Sequence, residues 1–118
     1  MIICLIDDDD LVRDAIALNL ADSGHIVVAA RSGTEGLELL EQGQVDAFVT
    51  DFKMRGLTGV DLTAIVRRRF PTLPIVVVSG EAMPAGLEQA DVFLPKPFTS
   101  KKLIAAIEEA RGKRQNAA

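Results

Sequence analysis

Carboxylates follow two of the apolar runs in this chain. Residues 7–10 are four consecutive aspartates after one run, and Asp51 ends another. The last two of the four suit the start of a helix, where a carboxylate caps free amides and favours the helix dipole. That explanation does not cover Asp7 and Asp8, because neighbouring carboxylates repel one another unless a cation neutralises them. Hard oxygen ligands with room for water suit magnesium, so these residues are candidate ligands for Mg²⁺.

A hydroxyl and an ammonium group follow two later apolar runs. Ser79 precedes Gly80, and Lys96 lies between two prolines. Taken singly, each is an ordinary residue of an exposed loop. Taken with a carboxylate nucleophile and a metal, they complete the groups needed to accept a phosphoryl group and hold its oxygens.

The elements that would position these residues are short and mostly β-branched apolar runs, which predict strands. Their continuous hydrophobicity indicates a parallel sheet covered by helices on both faces. Repeated strand-helix units predict an α/β, flavodoxin-like, doubly wound sheet of five strands in the order 2-1-3-4-5, with the site at the carboxyl ends of the strands. The five predicted strands are Ile2 to Ile6, Ile26 to Ala30, Ala47 to Thr50, Ile75 to Val78 and Val92 to Leu94.

Helical spacing of apolar residues fills the gaps between these runs. We expect one helix to place Val12, Ala15, Ile16 and Leu20 against the sheet, and another to place Leu62, Ile65, Val66 and the stem of Arg69 there. The run of three arginines at 67–69 is then expected to be a solvated helix end.

The last two helices are predicted to differ in length. Ala85 to Asp91 leave room for about two turns, so the fourth helix should be short. The final helix should begin with Thr99 or Ser100 as its N-cap and stop at Gly112, which leaves 113–118 as a tail.

Composition limits the class of protein. The chain has 118 residues, of which 48% are hydrophobic and 25% charged, which fits one globular domain spanning 1–118 with no room for an output domain. A net charge of −4 disfavours nucleic acid and anionic membranes as partners. No signal peptide or membrane span is expected. The single cysteine, Cys4, is expected to be a buried, inert thiol, which fits a cytoplasmic location.

The set of strand-end residues resembles the receiver domains of two-component response regulators, and the resemblance covers essentially the whole chain. It implies that Asp51 is the phosphoacceptor and that Asp8 binds Mg²⁺ directly. It also implies that Asp7 reaches the metal through water and that the backbone carbonyl of Lys53 completes the protein ligands.

The same resemblance assigns roles around the phosphoryl group. Ser79 matches the switch hydroxyl and Lys96 the lysine that pairs with phosphate. Phe93 matches the switch aromatic, Pro97 the proline that usually follows a cis bond, and Gly59 the glycine that opens the third helix.

The implied function is a Mg²⁺-dependent phosphorelay step that changes a partner-binding surface. The donor would be a sensor histidine kinase or a phosphotransfer protein, the downstream partner would be another protein, and the chain would catalyse only its own phosphorylation and dephosphorylation. Lys53 and Glu81 match the positions that influence attack by water. Arg55 stands where many receivers have proline, a departure expected to affect tuning at most.

A magnesium-dependent phosphatase with an aspartate nucleophile, of the haloacid-dehalogenase type, is the alternative. That motif requires a second aspartate two positions after the nucleophile, to act as the general acid. Lys53 occupies this position and cannot take that role.

Overall fold

A computed structural model describes residues 1–80 and 88–116 of the chain. Five parallel strands form one sheet in the order β2-β1-β3-β4-β5. This confirms the predicted flavodoxin-like fold. The strands are β1 (Ile2–Ile6), β2 (Ile26–Ala30), β3 (Ala47–Asp51), β4 (Ile75–Ser79) and β5 (Val92–Pro95), and the described helices are α1 (Asp10–Asp22), α2 (Gly33–Gln42), α3 (Gly59–Arg69) and α4 (Ser100–Asn116).

The sheet is covered on both faces, as its continuous hydrophobicity predicts. Every residue of β3 and β4 is buried. One face packs against α1 and α4 through side chains that include Leu20 and Ile107, and the other packs against α2 and α3 through Leu40 and Val66. At the edge of the sheet, β2 is only partly covered, and Ile26 is 64% exposed.

Side-chain caps begin the helices where the sequence predicts them. Asp9 accepts hydrogen bonds from the backbone N–H groups of Leu11 and Val12, which makes it the N-cap of α1. Thr99 accepts one from the N–H of Lys102 at the start of α4. Each cap satisfies a backbone donor that has no partner within its helix.

The prediction that the last helix stops at Gly112 is wrong, because α4 continues to Asn116. Side chains beyond the glycine reach back to Asp91: Arg114 Nε lies 2.8 Å from its Oδ1, and Lys113 Nζ donates to its backbone carbonyl at 2.7 Å. Glycine within a helix costs roughly 1 kcal/mol relative to alanine. These tertiary contacts act against that cost and hold the last turn against Asp91.

The prediction that Arg69 of α3 packs its stem against the sheet is also wrong. Arg69 is exposed and pairs with Glu41, whereas Arg67 is the residue that turns inward. Its Nη2 lies 2.8 Å from Asp91 Oδ2, and its Nη1 donates to the carbonyl of Leu73 at 2.7 Å. Burial lowers the pKa of the Arg67 guanidinium, and the charge of Asp91 opposes that shift. The end of α3 is therefore held by a partly buried ion pair.

Two further predictions concern Cys4 and the fourth helix. Cys4 is buried, as predicted, and burial raises the pKa of its thiol to about 12, which disfavours the reactive thiolate. Of the predicted short helix at Ala85 to Asp91, residues 85–87 lie outside the described residues, and Glu88 and Gln89 form a turn. No helix in the described ranges is both long and apolar enough to cross a bilayer.

Candidate functional site

The candidate site lies at the carboxyl ends of the three central strands. The register pairs Ile6 of β1 with Thr50 of β3, and Asp51 of β3 with Val78 of β4. Asp7, directly after β1, and Ser79, the last residue of β4, therefore lie on either side of Asp51 at the end of β3. Because the strands are predicted from their β-branched runs, the polar residues at their carboxyl ends can be predicted from the sequence to lie together.

Three carboxylates and one ammonium group meet there. Single carboxylate oxygens of Asp7, Asp8 and Asp51 lie within 4.8 Å of one another. Lys96 Nζ lies 3.3 Å from Asp51 Oδ2 and 3.8 Å from Asp7 Oδ2. The structure thus brings together the four residues that the sequence identifies as the acidic cluster and its lysine.

Asp7 is the most buried of these carboxylates, with 1% of its surface exposed. Its Oδ1 accepts a hydrogen bond from the N–H of Asp9 at 2.9 Å, whereas no group of the described chain donates one to its buried Oδ2. Burial raises the pKa of Asp7; the Asp9 hydrogen bond and the charge of Lys96 lower it, and the charges of Asp51 and Asp8 raise it further. Within the described residues, this carboxylate oxygen of Asp7 has an ion-pair partner in Lys96 but no hydrogen-bond donor.

The structure gives the positions of three further residues to which the resemblance assigns roles. Ser79 is buried at the end of β4, and its carbonyl accepts a hydrogen bond from the N–H of Lys96 at 2.7 Å. Phe93 of β5 is partly buried against the core on the α2 and α3 face. The bond between Lys96 and Pro97 is cis.

Gly59, the first residue of α3, lies close against the backbone of Phe52. Its N–H donates to the Phe52 carbonyl at 3.1 Å, and a Cβ at this position would lie 2.8 Å from Phe52 Cα. A side chain would therefore push the segment after Asp51 away from the helix. Glycine is needed here for the close approach of two backbones.

Two residues are expected to influence attack by water, Lys53 and Glu81. Lys53 is exposed in the loop after β3, two residues beyond Asp51. Glu81 lies outside the described residues. Their expected influence on attack by water therefore stays a prediction.

Two further arginines, not predicted from the sequence as site residues, contact the site. Arg13 of α1 is buried; its Nη1 donates to the backbone carbonyl of Asp7 at 3.1 Å, and its Nη2 lies 2.8 Å from Asp10. Arg55 contacts Asp8 from the loop after β3. The Asp10 and Arg13 spacing of three residues was a signal for the first contact. No periodic pattern in the sequence predicts the contact of Arg55 with Asp8.

Comparison with known proteins identifies the family. The family model described as the response regulator receiver domain matches residues 3–108. An NtrX-like response regulator of Rickettsia conorii is 30% identical over 125 aligned positions, which cover 97% of this chain and 26% of the relative. This chain therefore spans about a quarter of the length of that relative.

Solved structures agree. A response regulator receiver domain protein from Clostridium thermocellum has a TM-score of 0.87 at 28% identity, over 99% of this chain and 98% of that one. TrrA from Thermotoga maritima, solved in complex with Mg²⁺ and BeF, shares the fold with a TM-score of 0.86 at 20% identity, over 92% of this chain and 97% of that one. The chain belongs to the receiver domain family of two-component response regulators.

The acidic pocket fits the divalent ion that receiver domains bind. Its donors are carboxylate oxygens, the ligand type that Mg²⁺ prefers. The orphaned Oδ2 of Asp7 and the repulsion among the carboxylates would both be relieved by a cation at this point. The residues of the pocket thus suit a hard cation.

Proposed function

We propose that this receiver domain takes a phosphoryl group onto Asp51 from a phosphohistidine donor, in a Mg²⁺-dependent reaction, and thereby switches a partner-binding surface. The observation that carries the proposal is the position of the Asp51 carboxylate at the end of a central strand. There it lies within reach of two other carboxylates and 3.3 Å from the ammonium group of Lys96.

In the proposed step, a carboxylate oxygen of Asp51 attacks phosphorus. The new O–P bond forms as the bond from phosphorus to the donor nitrogen breaks, and the donor histidine leaves with the electron pair of that bond. The product is an acyl phosphate. Water later attacks its phosphorus, which releases inorganic phosphate and restores the carboxylate, so the modification is temporary.

Lys96 and Ser79 would hold the transferred oxygens. Lys96 already lies beside Asp51, so its positive charge is placed where negative charge collects during transfer. Ser79 ends the neighbouring strand, where its hydroxyl can donate to a phosphoryl oxygen. Movement of Ser79 toward the phosphate would free space for Phe93 to turn, which would couple Asp51 to a more distant surface.

Magnesium would be held by Asp8 and Asp51 directly, by Asp7 through water, and by the backbone carbonyl of Lys53. When bound, the ion would neutralise charge that otherwise repels the anionic donor from the carboxylates. The T. maritima relative solved with Mg²⁺ and BeF supports the choice of ion by analogy. The oxygen donor set of this chain supports it independently.

The proposed partners are a sensor histidine kinase or phosphotransfer protein as donor and a downstream protein as target, in the cytoplasm. The net charge of −4 argues against nucleic acid and membranes as partners. The receiver family is not a classical enzyme family. Lys53 stands where a phosphatase of the aspartate-nucleophile type needs an acid, which disfavours that alternative.

Intact-mass measurement after incubation with acetyl phosphate and Mg²⁺ tests the proposal. We expect one added phosphoryl group in the wild type and none in Asp51→Asn. Asp22→Asn, an exposed aspartate near the end of α1, is the matched control and should be labelled like the wild type. Labelling of Asp51→Asn at the wild-type rate would refute the assignment. Continuous turnover of a phosphate monoester without labelled protein would favour the phosphatase.

A further inference from the structure

The side chain of Arg55 approaches the acidic cluster from the loop between β3 and α3. One backbone and one side-chain nitrogen of Arg55 lie near the same oxygen of Asp8. The backbone N–H donates to Oδ2 at 3.1 Å, and Nε lies 3.4 Å from that atom. The two residues are separated by 47 positions in sequence, so folding alone brings them together. Asp8 is one of the three clustered carboxylates.

The two contacts differ in what they require. The backbone N–H belongs to the fold of the loop and is present with any residue except proline. The guanidinium is held only weakly, because 89% of the Arg55 side chain is exposed, against 24% for Asp8. It can leave Asp8 without disturbing the core.

We infer that Arg55 is a tethered cation that competes with Mg²⁺ for Asp8 and so lowers the affinity of this receiver for the metal. This inference rests on the proposed function, since it takes the acidic cluster as the metal site. Both cations draw on the charge of the same carboxylate, and a guanidinium close to Asp8 also repels a divalent ion. The Arg55 guanidinium at Asp8 Oδ2 therefore opposes binding of the metal at the same carboxylate.

The size of the effect follows from the exposure of the pair. Exposed ion pairs contribute roughly 0.2–1 kcal/mol, so removal of the guanidinium should tighten Mg²⁺ binding by a factor of about 1.4 to 5. Added salt screens an exposed pair more than a buried one. The difference between wild type and variant should therefore shrink as NaCl is raised.

The test is a Mg²⁺ titration of the full chain, starting from metal-free protein. The chain has neither tryptophan nor tyrosine, so binding is followed by amide chemical shifts instead of intrinsic fluorescence. Arg55→Ala keeps the backbone N–H and removes the charge, and Arg55→Lys keeps both. The control is Arg68→Ala, which removes an exposed arginine in the last turn of α3 and changes the net charge by the same amount.

We expect a dissociation constant lower by a factor of about 1.4 to 5 in Arg55→Ala than in Arg68→Ala, and a value for Arg55→Lys closer to the wild type. Equal constants in Arg55→Ala and Arg68→Ala would overturn the inference while leaving the metal site intact. An equal gain in Arg55→Lys and Arg55→Ala would also overturn it, because charge would then not be the cause. Absence of Mg²⁺ binding in the wild type and in every variant would instead refute the metal site of the proposed function.

Discussion

The Asp7 carboxylate is buried beside two other carboxylates, and its Oδ2 has no hydrogen-bond donor in the described chain. Burial raises the pKa of this group, so its charged form is less stable in the folded protein than in the unfolded chain. Asp7→Asn should therefore stabilise the metal-free protein at neutral pH by roughly 1 kcal/mol. Urea unfolding in the presence of EDTA measures this, and a less stable variant would contradict it.

Cys4 gives a residue-scale prediction for alkaline pH. Its thiol titrates at about 12 in the folded protein and at 9.0 in the absence of burial. A raised folded pKa means that the stabilising contribution is complete below pH 9.0 and is lost as the pH rises toward 12. Above the lower value, the wild type should lose unfolding free energy relative to Cys4→Ala by up to about 1.4 kcal/mol per pH unit.

Urea unfolding of both proteins over the alkaline range gives that difference directly. Contributions of lysines and arginines are common to the two proteins and cancel. The small cavity left by Cys4→Ala gives an offset that does not change with pH. A difference that stays constant with pH would show that Cys4 is not the group responsible.

At the scale of elements, two helical glycines should respond in opposite directions to the same substitution. A Cβ at Gly112 in α4 would meet nothing within 4 Å, whereas a Cβ at Gly36 in α2 would overlap Ile6 Cδ1 and lie 2.9 Å from its Cγ1. Ile6 is fully buried, so it has little room to move. Gly112→Ala should stabilise the protein by roughly 0.5–1 kcal/mol, and Gly36→Ala should destabilise it by about 1–3 kcal/mol.

Thermal and urea unfolding of the two variants check this pair against each other. Helix propensity alone predicts a gain in both, so the sign for Gly36→Ala isolates the packing of α2 on β1. A gain in Gly36→Ala would mean that Ile6 can repack without cost. A loss in Gly112→Ala would mean that the last turn of α4 needs glycine.

The sequence predicted strands better than helix ends, for a physical reason. A β-branched run between turn residues is a local signal, and each predicted strand matches an observed one to within one residue. The end of α4 depends instead on Lys113 and Arg114 reaching Asp91, which is a contact across more than twenty residues of sequence. The inward turn of Arg67 depends on the same distant partner.

The candidate site shows the same division. Asp7, Asp51 and Lys96 follow strands, so the order of strands in the sheet was enough to bring them together. The Arg55 contact depends on the conformation of a loop, and a loop has no periodic pattern that the sequence could reveal. The sequence shows at Arg55 only that arginine stands where many receivers have proline, and this predicts no contact with Asp8.

At the scale of the whole molecule, charged side chains cluster at both ends of the strands of the sheet, the carboxyl ends and the amino ends. The carboxylates follow the carboxyl ends of β1 and β3, whereas Asp91 precedes β5 and joins α3 to α4 through Arg67 and Arg114. The first end concentrates like charges, which destabilises it without a cation. The second pairs opposite charges, which anchors two helix ends. The acidic end is therefore where a bound ion should change the stability of the whole domain.

Magnesium should accordingly raise the unfolding free energy of the entire chain. An ion that binds only the folded state stabilises it by mass action, so each tenfold increase above the dissociation constant adds about 1.4 kcal/mol. Asp8→Asn should remove most of this increase, because Asp8 contributes one of the clustered oxygens. Asp22→Asn, which changes the same charge at an exposed position on α1, should keep it.

Urea unfolding at several Mg²⁺ concentrations, followed by far-UV circular dichroism, measures the increase. Amide exchange then shows whether it is global. If binding at the strand ends stabilises the domain as a unit, the slowest amides, in the buried strands β3 and β4, should gain the same free energy as that found by unfolding. An increase of the same size in Asp8→Asn would place the ion elsewhere on the surface, and protection confined to the loops after β1 and β3 would show that the ion orders the site without stabilising the sheet.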